Sequence, residues 1–205
     1  KRQILGGAKV SDKIGVIENL MNKVDKIIIG GAMANTFLKA QGYDMGKSLV
    51  EDEKIDLAKD LLKESADKNV EILLPLDLVM TDSLDDSKVI KTLKLDDDKV
   101  DLIAVDIGEE TIKIFSQAIG HAKLVIWNGP MGVFENKDFA KGTFEIARAV
   151  AENSGVSIIG GGDSSLAVKL SGYEDKVTHV STGGGASLEM MEGKELPGIK
   201  CLEEA

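Results

Sequence analysis

A chain of 205 residues, 43% of them hydrophobic, is long enough to bury one large α/β core or two small ones. Its 25 lysines and arginines face 35 aspartates and glutamates for a net charge of −10, which excludes nucleic acid and anionic membrane as general partners, so any anion must be held by local geometry. No run approaches the roughly 18 apolar residues of a membrane span, the opening KRQILGGAKV lacks the apolar stretch of a secretory signal, and the single Cys201 cannot form an internal disulfide; the expected location is the cytoplasm.

In chain order, the first apolar run predicts a strand at 3–5, so close to the start that the chain reads as continued from something earlier. GGAK at 6–9 and a helix over 12–22 follow, then a strand at 26–29, GGAM at 30–33, helices over 33–40 and 52–68, and a strand at 70–74. Residues 76–95 fit neither period and predict an antiparallel excursion at the sheet edge. The alternation resumes with a strand at 102–105, a helix over 109–119, a strand at 123–127, NGPMGVFE at 128–135 and a helix over 139–153. It closes with strands at 156–159 and 178–180, followed by GGGD at 160–163 and STGGGAS at 181–187, and helices over 164–170 and 186–192. The strand runs are almost continuously apolar, as in strands covered on both faces. The pattern predicts one three-layer α/β/α, Rossmann-like domain over 1–205 with a mostly parallel sheet. The Asp96 to Asp98 cluster reads as a solvated turn rather than a metal site.

In an open parallel sheet, ligands bind beyond the carboxyl ends of the strands. Five strands here end in glycine-rich segments, each leading into a helix whose first amides can face an anion. Lys9 and Lys13, four apart, share a face if helical pitch begins early, and would then point two cations at that edge. Asp163 follows three glycines at a helix start, where it either caps the helix or holds Mg2+ between phosphate oxygens; a phosphate-lined cleft favours the metal. GYDMGKS at 42–48 is one residue short of a P-loop, and no G-x-G-x-x-G or G-x-S-x-G occurs. His121 and His179 read as structural.

Taken together, GGAKVSDKI at 6–14, IIGGAMANTFL at 28–38, WNGPMGVFE at 127–135, GGGDS at 160–164 and HVSTGGGASLE at 179–189 resemble the C-terminal, nucleotide-binding half of the phosphoglycerate kinases, a likeness that runs on to LPG at 196–198. The resemblance implies that Lys9 stabilises the phosphoryl group in flight, that Lys13 contacts nucleotide phosphates and that Asp163 holds the Mg2+ of ADP or ATP. Gly31 and Ala32, with Val105, would form the adenine slot, Ala32 standing where the family commonly has glycine. Gly7, Ala8, Asn128, Gly129, Pro130, Val133, Gly161, Gly162 and Ser164 would line the nucleotide site, with Ser164 in place of the usual threonine and Glu135 taking the ribose hydroxyls. Gly183, Gly184 and Gly185 would offer amides to the transferring phosphoryl group.

The implied reaction is the glycolytic transfer of an acyl phosphate from 1,3-bisphosphoglycerate to ADP. The family's N-terminal, phosphoglycerate-binding domain has no counterpart in this sequence, whose only arginines are Arg2 and Arg148, and KRQILGG departs from the family's proline-containing approach. The chain alone is therefore expected to be a monomer that binds nucleotide with negligible turnover. Two other readings stand beside it: a stand-alone nucleotide-binding module without catalysis, and, disfavoured by the missing G-x-G-x-x-G, a dinucleotide-binding oxidoreductase domain.

Overall fold

The computed structural model describes residues 1–86, 90–181, 183 and 185–194. Its main sheet contains β1 (Arg2–Leu5), β2 (Lys26–Ile29), β3 (Glu71–Leu73), β7 (Leu124–Asn128), β8 (Val156–Gly160) and β9 (His179–Val180). Every neighbouring pair is parallel, in the order β3-β2-β1-β7-β8-β9. The chain therefore builds outward from β1 in one direction and from β7 in the other. Loops leaving these two central strands diverge to opposite sides, which opens a crevice at their carboxyl ends.

The helices α1 (Ile14–Leu20), α2 (Ala32–Ala40), α3 (Ile55–Asp67), α4 (Glu109–Gly120), α5 (Lys141–Glu152), α6 (Gly162–Leu170) and α7 (Gly185–Met191) cover the sheet. Successive side chains of a strand point to opposite faces. Leu5, Ile27 and Ile29 accordingly join Ile17, Phe37 and Leu61 in one core, whereas Ile4, Ile28 and Trp127 join Phe115, Ile146 and Val168 in the other. This two-sided burial is why the strand segments read as unbroken apolar runs. Each fully buried large side chain contributes on the order of 1.5–3 kcal/mol. Among the described residues no helix is long and apolar enough to cross a membrane.

The stretch expected as an edge excursion is instead part of a separate antiparallel sheet, β5-β4-β6, formed by β4 (Asp77–Thr81), β5 (Ile90–Lys94) and β6 (Ile103–Ile107). The predicted strand at 102–105 thus leaves the parallel sheet and pairs antiparallel with β4, Leu78 opposite Ile107. The cause is tertiary. Leu78 and Met80 pack into the first core while Ile107 packs into the second, so this small sheet bridges the two layers. Exposed lysines Lys91 and Lys94 guard its outer strand β5, a common protection of a sheet edge. Asp77 accepts hydrogen bonds from the Glu110 and Thr111 amides and so caps α4 from β4. The Asp96 to Asp98 segment is a turn, as expected: the Asp97 carboxylate accepts from the Lys94 amide and the Asp98 carboxylate from the Val100 amide.

Candidate functional site

At the crevice, the loops after β1, β2 and β7 are laced together through their backbones. The Gly6 amide donates to the Asn128 carbonyl at 2.9 Å, Gly7 to Pro130 at 3.1 Å, Gly31 to Met131 at 3.0 Å and Met33 to Gly7 at 3.0 Å. Side chains would prevent this approach. A Cβ on Gly129, whose φ is +96°, would lie 2.3 Å from the Gly6 carbonyl oxygen, and one on Gly6 would lie 2.0 Å from the Pro130 oxygen.

The loops after β1 and β7, with the start of α6 and Gly185 and Leu188 of α7, wall a cleft of about 600 Å³. Of the residues singled out from the sequence, it gathers Gly7, Ala8, Lys9, Lys13, Asn128, Gly129, Pro130, Gly161, Gly162, Asp163, Ser164 and Gly185. Lys9 and Lys13 meet here without sharing a helix face. Helix α1 begins only at Ile14; Lys13 closes a turn with its amide on the Val10 carbonyl at 2.9 Å, and Lys9 stands just before that turn. Lys9 is exposed, while Lys13 is partly buried with its ammonium donating to Asn128 Oδ1. The Asn128 amide group is itself fixed, donating to the Gly160 carbonyl at 2.9 Å. Burial lowers the pKa of Lys13, against the opposing pull of Asp12, Asp163 and Glu192.

Asp163 is the second residue of α6, behind Gly161 at the N-cap with φ +95°. No side chain caps this helix, and the Asp163 carboxylate, exposed to the cleft, makes no hydrogen bond or ion pair among the described residues. The capping alternative for Asp163 therefore has no hydrogen bond behind it. Ser164 is fully buried, and its Oγ accepts from the Gly129 amide at 2.6 Å, tying the β7 loop to α6. Among the described residues no three acidic, histidine or cysteine side chains cluster as a self-sufficient metal site.

Gly31, Ala32, Val105 and Val133 line a second, narrow slot of about 30 Å³ between α2 and β6. Its wall includes Asp106, which sequence reasoning missed and whose only signal was an acid inside the apolar strand IAVDI. Asp106 is 3% exposed and accepts hydrogen bonds from the Gly142 amide at 2.6 Å and the Ile107 amide at 2.9 Å. Burial pushes its pKa up to about 7 despite those bonds and the nearby Lys141. Asp12 and Leu188 are further cleft residues, inside the first and last motifs but not singled out from them.

Some expected residues are not brought in. Glu135 is exposed and lines neither cavity, and neither does Gly183, whose amide donates to Ser181 Oγ at 3.2 Å; Gly184 lies outside the described residues. The P-loop-like segment at 42–48 serves the small sheet instead, the Lys47 amide donating to the Leu102 carbonyl and Ser48 Oγ accepting from the Ala104 amide.

Comparison with known proteins agrees with this layout. A sequence model of the family described as phosphoglycerate kinase matches residues 2–194. A phosphoglycerate kinase of Finegoldia magna is 57% identical over 98% of the chain and 51% of its own length, and one from Clostridium botulinum is 55% identical over 98% and 50%. The solved phosphoglycerate kinase of Coxiella burnetii superposes with a TM-score of 0.93 at 44% identity, over 97% of this chain and 52% of that one. That of Pyrococcus horikoshii superposes at 0.84 with 32% identity, over 99% and 51%. The chain thus spans about half the length of the curated relatives it matches.

Proposed function

The chain belongs to the phosphoglycerate kinase family, and from that premise we propose that its cleft binds the phosphates of ADP or ATP with Mg2+. It would be the nucleotide-binding half of a cytoplasmic, glycolytic enzyme that transfers the acyl phosphate of 1,3-bisphosphoglycerate to ADP, giving 3-phosphoglycerate and ATP. The observation that carries the reading is the convergence of Lys9, Lys13 and Asp163 on one cleft beyond the ends of β1, β7 and β8.

In such a transfer, a β-phosphate oxygen of ADP forms the new bond to phosphorus as the bond to the acyl oxygen breaks, and the departing electron pair stays on the carboxylate. The protein's task is positioning and charge neutralisation. Lys13, held by Asn128, is a fixed cation for the nucleotide phosphates. Lys9, exposed in the cleft, is free to accompany the phosphoryl group, with backbone amides at Gly161, Gly162 and Gly185 as further donors. The exposed, unpaired carboxylate of Asp163 fits Mg2+, which takes few protein carboxylates and fills its remaining positions with phosphate oxygens and water. When bound, that ion neutralises phosphate charge. The base would enter the slot of Gly31, Ala32, Val105 and Val133, which at about 30 Å³ must widen to take it. Glu135, exposed two residues beyond Val133, would meet the ribose hydroxyls.

Both arginines are engaged outside the cleft, Arg2 with Asp25 and Arg148 with Glu145. Recognition of the phosphoglycerate is therefore assigned to a separate domain, and the chain alone is expected to bind nucleotide with negligible turnover. Titration calorimetry tests the reading. Mg·ADP should bind, and Asp163→Asn should weaken binding with Mg2+ about tenfold or more while changing metal-free binding less. Equal losses would remove the metal role, and no binding at millimolar nucleotide would remove the site.

A further inference from the structure

A buried carboxylate is costly to charge unless donors or a cation satisfy it. Glu51, 8% exposed, is such a carboxylate. Its two oxygens divide between the Ser11 amide at 3.1 Å and the Ser11 hydroxyl at 2.5 Å. Glu51 is itself anchored, its amide donating to Thr36 Oγ1 at 3.1 Å, while Asn35 Nδ2 holds the Leu49 carbonyl at 3.1 Å. Asn35 and Thr36 are buried on α2, and the first turn of that helix also grips Gly7 through the Met33 amide. The segment is thus pinned to α2 on both sides of Lys9, at Gly7 directly and at Ser11 through Glu51.

On the nucleotide reading above, we propose that Glu51 is a positioning residue for Lys9: it fixes the lysine-bearing segment so that the exposed ammonium meets the transferring phosphoryl group. Burial alone would raise the Glu51 pKa, but the Ser11 donors and the Lys9 charge leave it below the ordinary range. The carboxylate is therefore charged at neutral pH, with its charge directed at Ser11. A segment held at one side only would let Lys9 swing into solvent, and the loss would fall on the terminal phosphate that Lys9 is meant to follow.

The test compares Mg2+ complexes of ADP and of a non-hydrolysable ATP analogue by calorimetry. Glu51→Gln should weaken the ATP analogue about tenfold and ADP less than about threefold, because one charged hydrogen bond to the turn is lost. In a Lys9→Ala background the same substitution should change the analogue less than about twofold. A merely structural role would weaken both ligands alike and persist without Lys9; either result overturns the proposal. Ser11→Ala, which deletes one donor on an exposed turn, should give a smaller loss of the same selectivity, about threefold, and carries the test if Glu51→Gln does not fold. Equal losses in Ser11→Ala overturn it too. Absence of binding by the unmodified chain defeats the nucleotide reading and this inference with it, whereas normal binding with unselective variants defeats the Glu51 role alone.

Discussion

Replacing Asp106 by asparagine should flatten the pH dependence of stability between pH 5 and 8. The carboxyl is moved from 3.8 to about 7 by burial, which at about 1.4 kcal/mol per tenfold change in proton affinity is about 4 kcal/mol as an upper limit. The folded state holds its proton more tightly than the unfolded state. Between the two values it therefore binds more protons, and stability falls as pH rises, levelling off once the carboxyl is ionised in both states. From pH 5 to 8 the loss should be about 2–3 kcal/mol. Carboxyls of lowered pKa, such as Glu51, contribute stability that is lost only at more acid pH, below this window. Urea unfolding of the chain at several pH values and constant salt reads the quantity directly. Asparagine cannot titrate, and it accepts from only one of the Gly142 and Ile107 amides, leaving the other facing an NH2 group at a cost of about 1–3 kcal/mol. The variant should be the less stable at pH 5 and draw level near pH 8. Parallel profiles for the two proteins would show that Asp106 does not titrate in this window and would refute the reasoning.

In an enzyme carrying this segment, Lys9→Ala should reduce turnover about a hundredfold or more with a smaller change in nucleotide affinity; steady-state kinetics showing a change confined to affinity would contradict a role on the phosphoryl group in flight. Gly129→Ala should cost more than about 2 kcal/mol, since its φ is +96° and the added carbon would lie 2.3 Å from the Gly6 oxygen. Gly42→Ala is the control, with φ +98° but nothing within 4 Å, and should cost only the left-handed conformation, about 1–2 kcal/mol. Denaturant midpoints giving the two equal cost would show that the interlocked loops add nothing to the backbone term.

The alternation of strands and helices, the unbroken apolar runs and the glycines beyond five strand ends were all legible in the sequence, because each is written in local periodicity or in a residue's own conformational range. So was the place of Lys9, Lys13 and Asp163 at one cleft, which needs only a position near a strand end. The direction of one strand was not legible. A strand covered on both faces carries no local mark of its partners, so the residues of β6 read like those of β1 until the packing of Leu78 and Ile107 placed them in the antiparallel sheet. The lysine spacing likewise suggested a helix face, whereas the two ammonium groups share the cleft through a segment whose anchor, Glu51, lies 40 residues away. Asp106 was simply an acid in an apolar strand. Tertiary structure alone removed it from water, set the Gly142 amide against it and moved its titration to neutrality, because desolvation is a property of the assembled core and not of any segment of the chain.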